Sequence, residues 1–269
     1  MDSVLRQFVA GMDVETPMPV LFIGHGSPMN AVEENEFSQA WAQQARNLPR
    51  PKAILCISAH WETSGTRVTA MERPQTIHDF YGFPSELAQK IYPANGSPEL
   101  ACLTQGLLTE KVIQTDLGWG LDHGAWSVLC RMYPQADIPV VQLSLDRRNG
   151  PLYHYELGQK LRILRRKGIL ILGSGNIVHN LRAIESDDVT YDWAEDFDSR
   201  CKNLILTGDH KALIAYQGMG DVARLSVPTP EHFLPLLYVL GAAEEHERVT
   251  FFAEKVTLGA ISMRSLRIG

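Results

Sequence analysis

Cysteine is scarce in this chain and scattered. Cys56, Cys102, Cys130 and Cys201 form no CxxC pair, so neither a thiolate zinc site nor a disulfide framework is indicated. Cys56 and Cys130 lie in apolar runs and read as small core residues. Positive charge is equally thin. There are 25 Lys and Arg against 31 Asp and Glu, a formal charge of -6, and no basic run longer than Arg165-Arg166-Lys167. That run ends a predicted helix, where cations suit the negative end of the macrodipole. It is expected to be solvated there rather than to bind phosphate. Nucleic acid is therefore a poor candidate partner. No apolar stretch approaches the roughly 18 residues needed to cross a bilayer. The opening segment MDSVLRQFVAGMDVETP also lacks a basic stretch followed by a sustained apolar one. A cytoplasmic location without a membrane partner is expected.

Apolar residues make up 45% of the sequence and charged residues 21%, an ordinary globular balance. A chain of this length buries roughly three quarters of its unfolded surface. Any metal it holds would thus serve chemistry rather than folding. Four short apolar runs read as buried strands: Val20 to Ile23, Ala53 to Ser58, Ile138 to Leu145 and Ile169 to Leu172. Helical spacing appears over Glu34 to Leu48, with Phe37, Ala40, Trp41 and Ala45 on one side. It recurs over Leu152 to Arg166, with Leu157, Leu161 and Leu164 on one face and Pro151 suited to the first turn. Further helices are expected at Trp193 to Leu206 and Glu231 to Leu240, and closing strands at Val249 to Phe252 and Ala260 to Ile268. Near-continuous apolar strands alternating with amphipathic helices predict an α/β fold. The expected form is a single domain with a mostly parallel central sheet flanked by helices.

The histidines are modest in number, nine in all, but pointed in position. His25 follows the first strand in LFIGHGSPMN, His60 the second in CISAHWE, and His179 the fourth in ILGSGNIVHN. Ligands of open α/β sheets bind outside the carboxyl ends of the strands, so these three histidines are expected to converge. Gly24 and Gly26 around His25, and Gly173 and Gly175 ahead of His179, are read as sharp bends that project the side chains. His123, in WGLDHGAWSVL, stands at a helix start. His232, in VPTPEHFLPLL, follows Thr229 and Pro230, read as the cap and first residue of a helix. His78 opens TIHDFYGFP, an aromatic loop suited to covering a pocket. His154, His210 and His246 lie among polar residues and are expected at the surface.

Together, GHGSPMN, SAHWE, TIHDFYGFP, LDHGAWSVL, GSGNIVHNL and PTPEHFLPLLYVLGA resemble the class III extradiol ring-cleavage dioxygenases. The likeness is greatest to the bacterial and plant DOPA 4,5-dioxygenase branch. It runs from about residue 18 to the C-terminus, which implies an N-terminal extension over 1–17 and a catalytic domain over 18–269. It implies a mononuclear non-haem site using Fe(II), with Zn(II) as an ion the site can also hold. On the same resemblance His25, His60 and His232 are metal ligands, with Glu231 the alternative to His232. His179 is the acid/base residue and a possible fourth ligand, and His123 a second catalytic histidine. His78, Tyr81 and Phe83 are expected around the substrate. The implied partners are a small catechol and dioxygen.

Such chemistry asks for a metal with open positions, which three ligands on one face leave free. A histidine of near-neutral pKa can take a catechol proton and return it later. Two other readings belong beside this one. Three histidines and a water also describe a zinc hydrolase or hydratase, and the same fold can carry a non-catalytic binding module. Retention of all five site histidines argues against the latter.

Overall fold

Strand period decides how this chain folds. Side chains alternate between the faces of a strand, and in each apolar run both alternating sets are apolar, so both faces of the sheet need a cover. The computed structural model describes residues 14–108, 113–185 and 189–269. Most of the expected N-terminal extension, 1–17, lies outside them. Strands β1 (Val20–Gly24), β2 (Ala53–Ser58), β3 (Val140–Gln142), β4 (Ile169–Gly175), β5 (Val249–Phe252) and β6 (Ser265–Ile268) make one sheet. Their order is β3-β2-β4-β1-β6-β5. The first four are parallel, whereas β6 runs antiparallel to β1 and β5 antiparallel to β6.

One face buries Leu21, Ile23, Ile54, Cys56, Leu170 and Leu172. It is covered by α1 (Glu36–Arg46) through Trp41 and by α2 (His123–Met132) through Trp126. The opposite face, with Val20, Phe22, Leu55 and Ile171, packs against α3 (Pro151–Leu161), α4 (Asp192–Thr207) and α5 (Leu234–Ala242). Every residue of α5 is buried, as befits a helix apolar on all sides. Register places the carboxyl ends of the central strands level, with Ile23 and Ser58 each opposite Ser174.

Several boundaries differ from the sequence reading. The Ile138 to Leu145 run is not one strand. Only Val140–Gln142 joins the main sheet, while Leu145–Asp146 pairs with Glu62–Thr63 in a small separate ladder. The last run likewise breaks into Ile261–Ser262 and β6. The helix expected from Glu231 begins at Leu234 instead. Pro235 has no N–H to return to the carbonyl of residue 231, so the chain ahead of it stays in turns. Thr229 is accordingly not a cap, and its hydroxyl donates to Glu231 Oε1 at 2.9 Å.

Two expected surface groups are buried. Arg165 is 0% exposed. Its guanidinium donates to the carbonyls of Met18 (2.6 Å) and Ala242 (3.0 Å) and pairs with Glu247. The basic run is thus split, with one member serving as an internal tie and Arg166 pairing with Glu244 at the surface. His154 is also fully buried, its Nδ1 3.2 Å from the Tyr238 hydroxyl between α3 and α5. Its neighbours in sequence are polar, but its position is one turn before the buried Leu157 and Gly158. His246 is exposed, as expected, while His210 is half-buried and meets the Tyr155 hydroxyl at 3.0 Å.

Burial lowers the His154 pKa from 6.5 to about 4. Because the folded value lies below the unfolded one, the unfolded chain holds the extra proton between them. The contribution to stability is complete above pH 6.5 and is lost toward pH 4, at up to about 1.4 kcal/mol per pH unit. In metal-free protein, His154→Gln should therefore flatten the acid limb of urea stability between pH 6.5 and 4.5. Parallel limbs for variant and wild type would count against this.

Candidate active site

The level strand ends deliver the histidines. His25 follows β1 directly, and its N–H donates to the Gly175 carbonyl at 3.1 Å. Gly26 after it takes φ +56, a left-handed conformation that a β-carbon resists. His60 stands two residues past β2. At the end of β4, Gly175 has no bend of its own. An added Cβ there would lie 2.1 Å from the carbonyl oxygen of His232. The glycine instead lets the His232 turn press onto the strand end, where Asn176 N–H donates to that same carbonyl at 2.8 Å. His179 is set by its N–H to Ser226 (2.8 Å). His123 opens α2, capped by Asp122, whose carboxylate accepts from Ala125 N–H.

Five imidazoles meet as a result. The His25 ring centroid lies 5.1 Å from His60, 5.4 Å from His232 and 5.8 Å from His123. His60 and His123 are 3.8 Å apart, and His179 stacks on His232 at 3.4 Å with the rings 8° from parallel. Candidate ligand atoms fall into two adjoining groups, His25 with His60 and His123, and His179 with Glu231 and His232.

Hydrogen bonds decide which nitrogens stay free. Ser174 Oγ donates to the Gly124 carbonyl (2.6 Å), so it can only accept from His25 Nδ1 at 3.0 Å. Glu231 Oε1 accepts from His232 Nδ1 at 3.0 Å. Asp79 places its two oxygens 3.0 Å from His123 Nδ1 and 3.4 Å from His60 Nδ1. With Nδ1 of His25 and His232 protonated toward these acceptors, and that of His60 toward the Asp79 charge, their Nε2 atoms carry bare lone pairs. Yet His25 Nε2 and His60 Nε2 face each other at 3.1 Å, and His232 Nε2 is buried without a partner among the described residues. Two lone pairs at that distance repel unless a cation lies between them. Nitrogens each about 2.1 Å from one ion would sit about 3.0–3.4 Å apart, so the spacing fits a shared metal.

Electrostatics agree. Burial first, and then the charge of neighbouring histidines, holds His25 and His232 well below the usual range. Burial and His123 bring His60 to about 3, and burial brings His179 to about 4. At neutral pH these rings are uncharged and available to a cation. Burial alone would raise the Asp79 carboxyl, but its hydrogen bond to His123, that ring's charge and then His60 hold it low.

The residues expected around the substrate divide. Phe83 touches Phe80 (5.4 Å), and Phe80 stands edge-on to His123 (5.6 Å). His78 Nε2 donates to the Lys90 carbonyl (2.9 Å) and the ring packs on Trp126. Tyr81 is 95% exposed. Asp79 and Phe80, between them, escaped the sequence reading although they share its aromatic motif. Asp122 was also passed over as a working group. It is fully buried and accepts from Ser58 (2.6 Å) and Gln142 (2.7 Å).

A family pattern described as the catalytic LigB subunit of aromatic ring-opening dioxygenase matches residues 16–264. The 4,5-DOPA dioxygenase extradiol of Escherichia coli strain K12 is 49% identical over 260 residues, covering 94% of this chain and 96% of its own length. That of Beta vulgaris is 40% identical, covering 91% and 94%. The crystal structure of an uncharacterized Escherichia coli K12 protein, JW3007, matches with a TM-score of 0.83 at 44% identity, over 94% of this chain and 100% of that one. Matched along nearly its whole length in sequence and in fold, this chain belongs to the LigB family of aromatic ring-opening dioxygenases.

Proposed function

We propose that the protein opens the ring of a catechol of the DOPA type in the extradiol manner, with dioxygen, at one ferrous ion held by His25, His60 and His232. The observation that carries this reading is the 3.1 Å approach of His25 Nε2 and His60 Nε2 beside the unpartnered Nε2 of His232. Glu231, the other candidate for third ligand, gives one oxygen to His232 Nδ1, which supports the histidine as ligand and the carboxylate as its orienting partner. Bound iron would lower the catechol hydroxyl pKa and bring the ring and dioxygen together.

The remaining roles belong to the chain. His179, neutral at pH 7 and half-buried against His232, takes the remaining catechol proton on a ring nitrogen and later returns it. His123, its Nδ1 3.0 Å from an Asp79 oxygen, is assigned to steering the bound ring. Phe80 walls the ring side, with Phe83 behind it. Tyr81, in the same loop, is assigned to closing over the substrate, as is His78 to supporting that loop. All four cysteines are free thiols, which supports a cytoplasmic setting. No helix among the described residues is long and apolar enough to cross a membrane.

The direct test is anaerobic reconstitution with ferrous iron, followed by DOPA and oxygen. Oxygen uptake and a yellow ring-opened product are expected with iron and not with zinc, which has no redox chemistry. Bound iron without uptake across DOPA, caffeate and simple catechols would sink the reading and leave the hydrolase or binding alternatives.

Alanine variants separate ligands from proton carriers. His25→Ala, His60→Ala and His232→Ala should lose most of the metal. His179→Ala and His123→Ala should keep it while turnover falls about 10²–10⁴-fold, the usual worth of a positioned acid or base. Metal retained by His232→Ala and lost from His123→Ala would move the third ligand to His123.

Asp79→Asn removes the charge that orients two histidines at once. Metal affinity or turnover should drop about 10- to 100-fold, the common cost of losing such an orienting partner, as read by metal content and kcat together. Wild-type values for both would show Asp79 to be a bystander.

A further inference from the structure

Beside the histidine cluster lies a cavity of about 220 Å³ bordered by His179, Asn180, Arg182, Pro228, Thr229 and Glu231. It carries two opposite charges. Glu231 commits Oε1 to His232 and Thr229, while its other oxygen has no hydrogen bond among the described residues. Arg182 is exposed, and among the described residues its guanidinium makes no ion pair. By contrast Arg131, Arg165 and Arg264 are each tied to a carboxylate or carbonyl.

The backbone under Arg182 is nonetheless well held. His179 N–H donates to Ser226 and Asn180 N–H to Ala260 (3.1 Å). The Asn180 side chain accepts from Arg182 N–H at 3.1 Å and donates to the Leu225 carbonyl at 2.8 Å. The guanidinium is thus mounted three residues from His179 on a clamped turn, with its fork open toward solvent.

A catechol whose two oxygens are engaged beside His179 must send its ring substituent away from the metal. The cavity that begins at His179 is where such an arm can go. One cation and one anion in it match a zwitterion, and they match neither a neutral arm nor one with a single charge. We propose that this cavity reads the α-amino-acid arm of the substrate, with Arg182 gripping the carboxylate and the free oxygen of Glu231 facing the ammonium. This rests on the ring-cleavage reading above and makes Arg182 a specificity-determining residue for it. Arg suits the task because its planar fork meets a carboxylate with two parallel hydrogen bonds. Exposure to water keeps the gain modest.

The test compares DOPA with dopamine, which lacks the carboxylate, and with 3,4-dihydroxyphenylpropionate, which lacks the ammonium. Binding to the metal-loaded protein is measured by calorimetry without oxygen, and oxygen uptake is then followed with each. DOPA should bind the wild type about tenfold more tightly than dopamine, the scale of one charge-assisted contact. Arg182→Gln should erase that ratio. Glu231→Gln, which keeps an oxygen for His232, should erase the preference over 3,4-dihydroxyphenylpropionate. Equal wild-type affinity for DOPA and dopamine, or equal weakening of all three ligands by Arg182→Gln, overturns the assignment. If the binding pattern appears but no catechol drives oxygen uptake, the cavity assignment stands and ring cleavage falls.

Discussion

Everything at this site depends on keeping several imidazoles uncharged, close together and aimed the same way. Left to water, a histidine chooses freely between its tautomers and protonates near neutrality. Here Ser174 accepts from His25 Nδ1 and Glu231 from His232 Nδ1, while the Asp79 carboxylate stands 3.4 Å from His60 Nδ1 and 3.0 Å from His123 Nδ1. That arrangement forces the lone pairs inward. Burial and the neighbouring histidines keep the rings from protonating, but the inward lone pairs repel one another. The rest of the fold must therefore hold the rings in place, and a cation relieves what the fold imposes.

The parallel sheet supplies the rigidity. Its strand ends are fixed by register, with Ile23 and Ser58 level with Ser174, so the residues just beyond start from one edge. Close approach then brings in the groups that are not on strands. Gly175 admits the His232 turn, and Gly124 sits where a Cβ would strike Ser58 Oγ at 2.4 Å, which seats α2 and His123 against β2. Beneath them Asp122 accepts from Ser58 and Gln142 and caps α2. Burial and the nearby Asp79 raise its carboxyl, and those hydrogen bonds are what make an acid tolerable there.

Much of this was legible in the chain. Strand ends marked by apolar runs, and the histidines that follow them, are local patterns, and β1, β2 and β4 lie where the runs are. What is not local was harder to read. Asp79 shows no signal beyond its place in an aromatic loop, since its partners His60 and His123 are 19 and 44 residues away. His154 and Arg165 looked exposed because their sequence neighbours are polar, and only the packing of α5 and the 242–247 segment covers them. The helix before Pro235 was misplaced by reading Pro230 as its first residue, when a second proline five positions on was the stronger constraint.

The placement of the carboxylates bears on the chemistry. Asp79 and Glu231 border the cluster yet spend themselves on ring nitrogens. Three neutral ligands, as proposed, would leave a divalent ion its full charge toward an incoming catecholate, whereas a carboxylate ligand would offset half of it. The two negative charges are held one ring away, where they would still balance an ion across the imidazoles and strengthen the nitrogens facing it. They also set an anion at the mouth of the cavity that begins at His179. A substrate arm bearing only a carboxylate would meet Glu231 there and be repelled, and one bearing an ammonium as well would not. The same residue that orients His232 thus tilts the choice of substrate. This is why the polarity of the arm, more than the catechol itself, is where the selectivity of this site is to be sought.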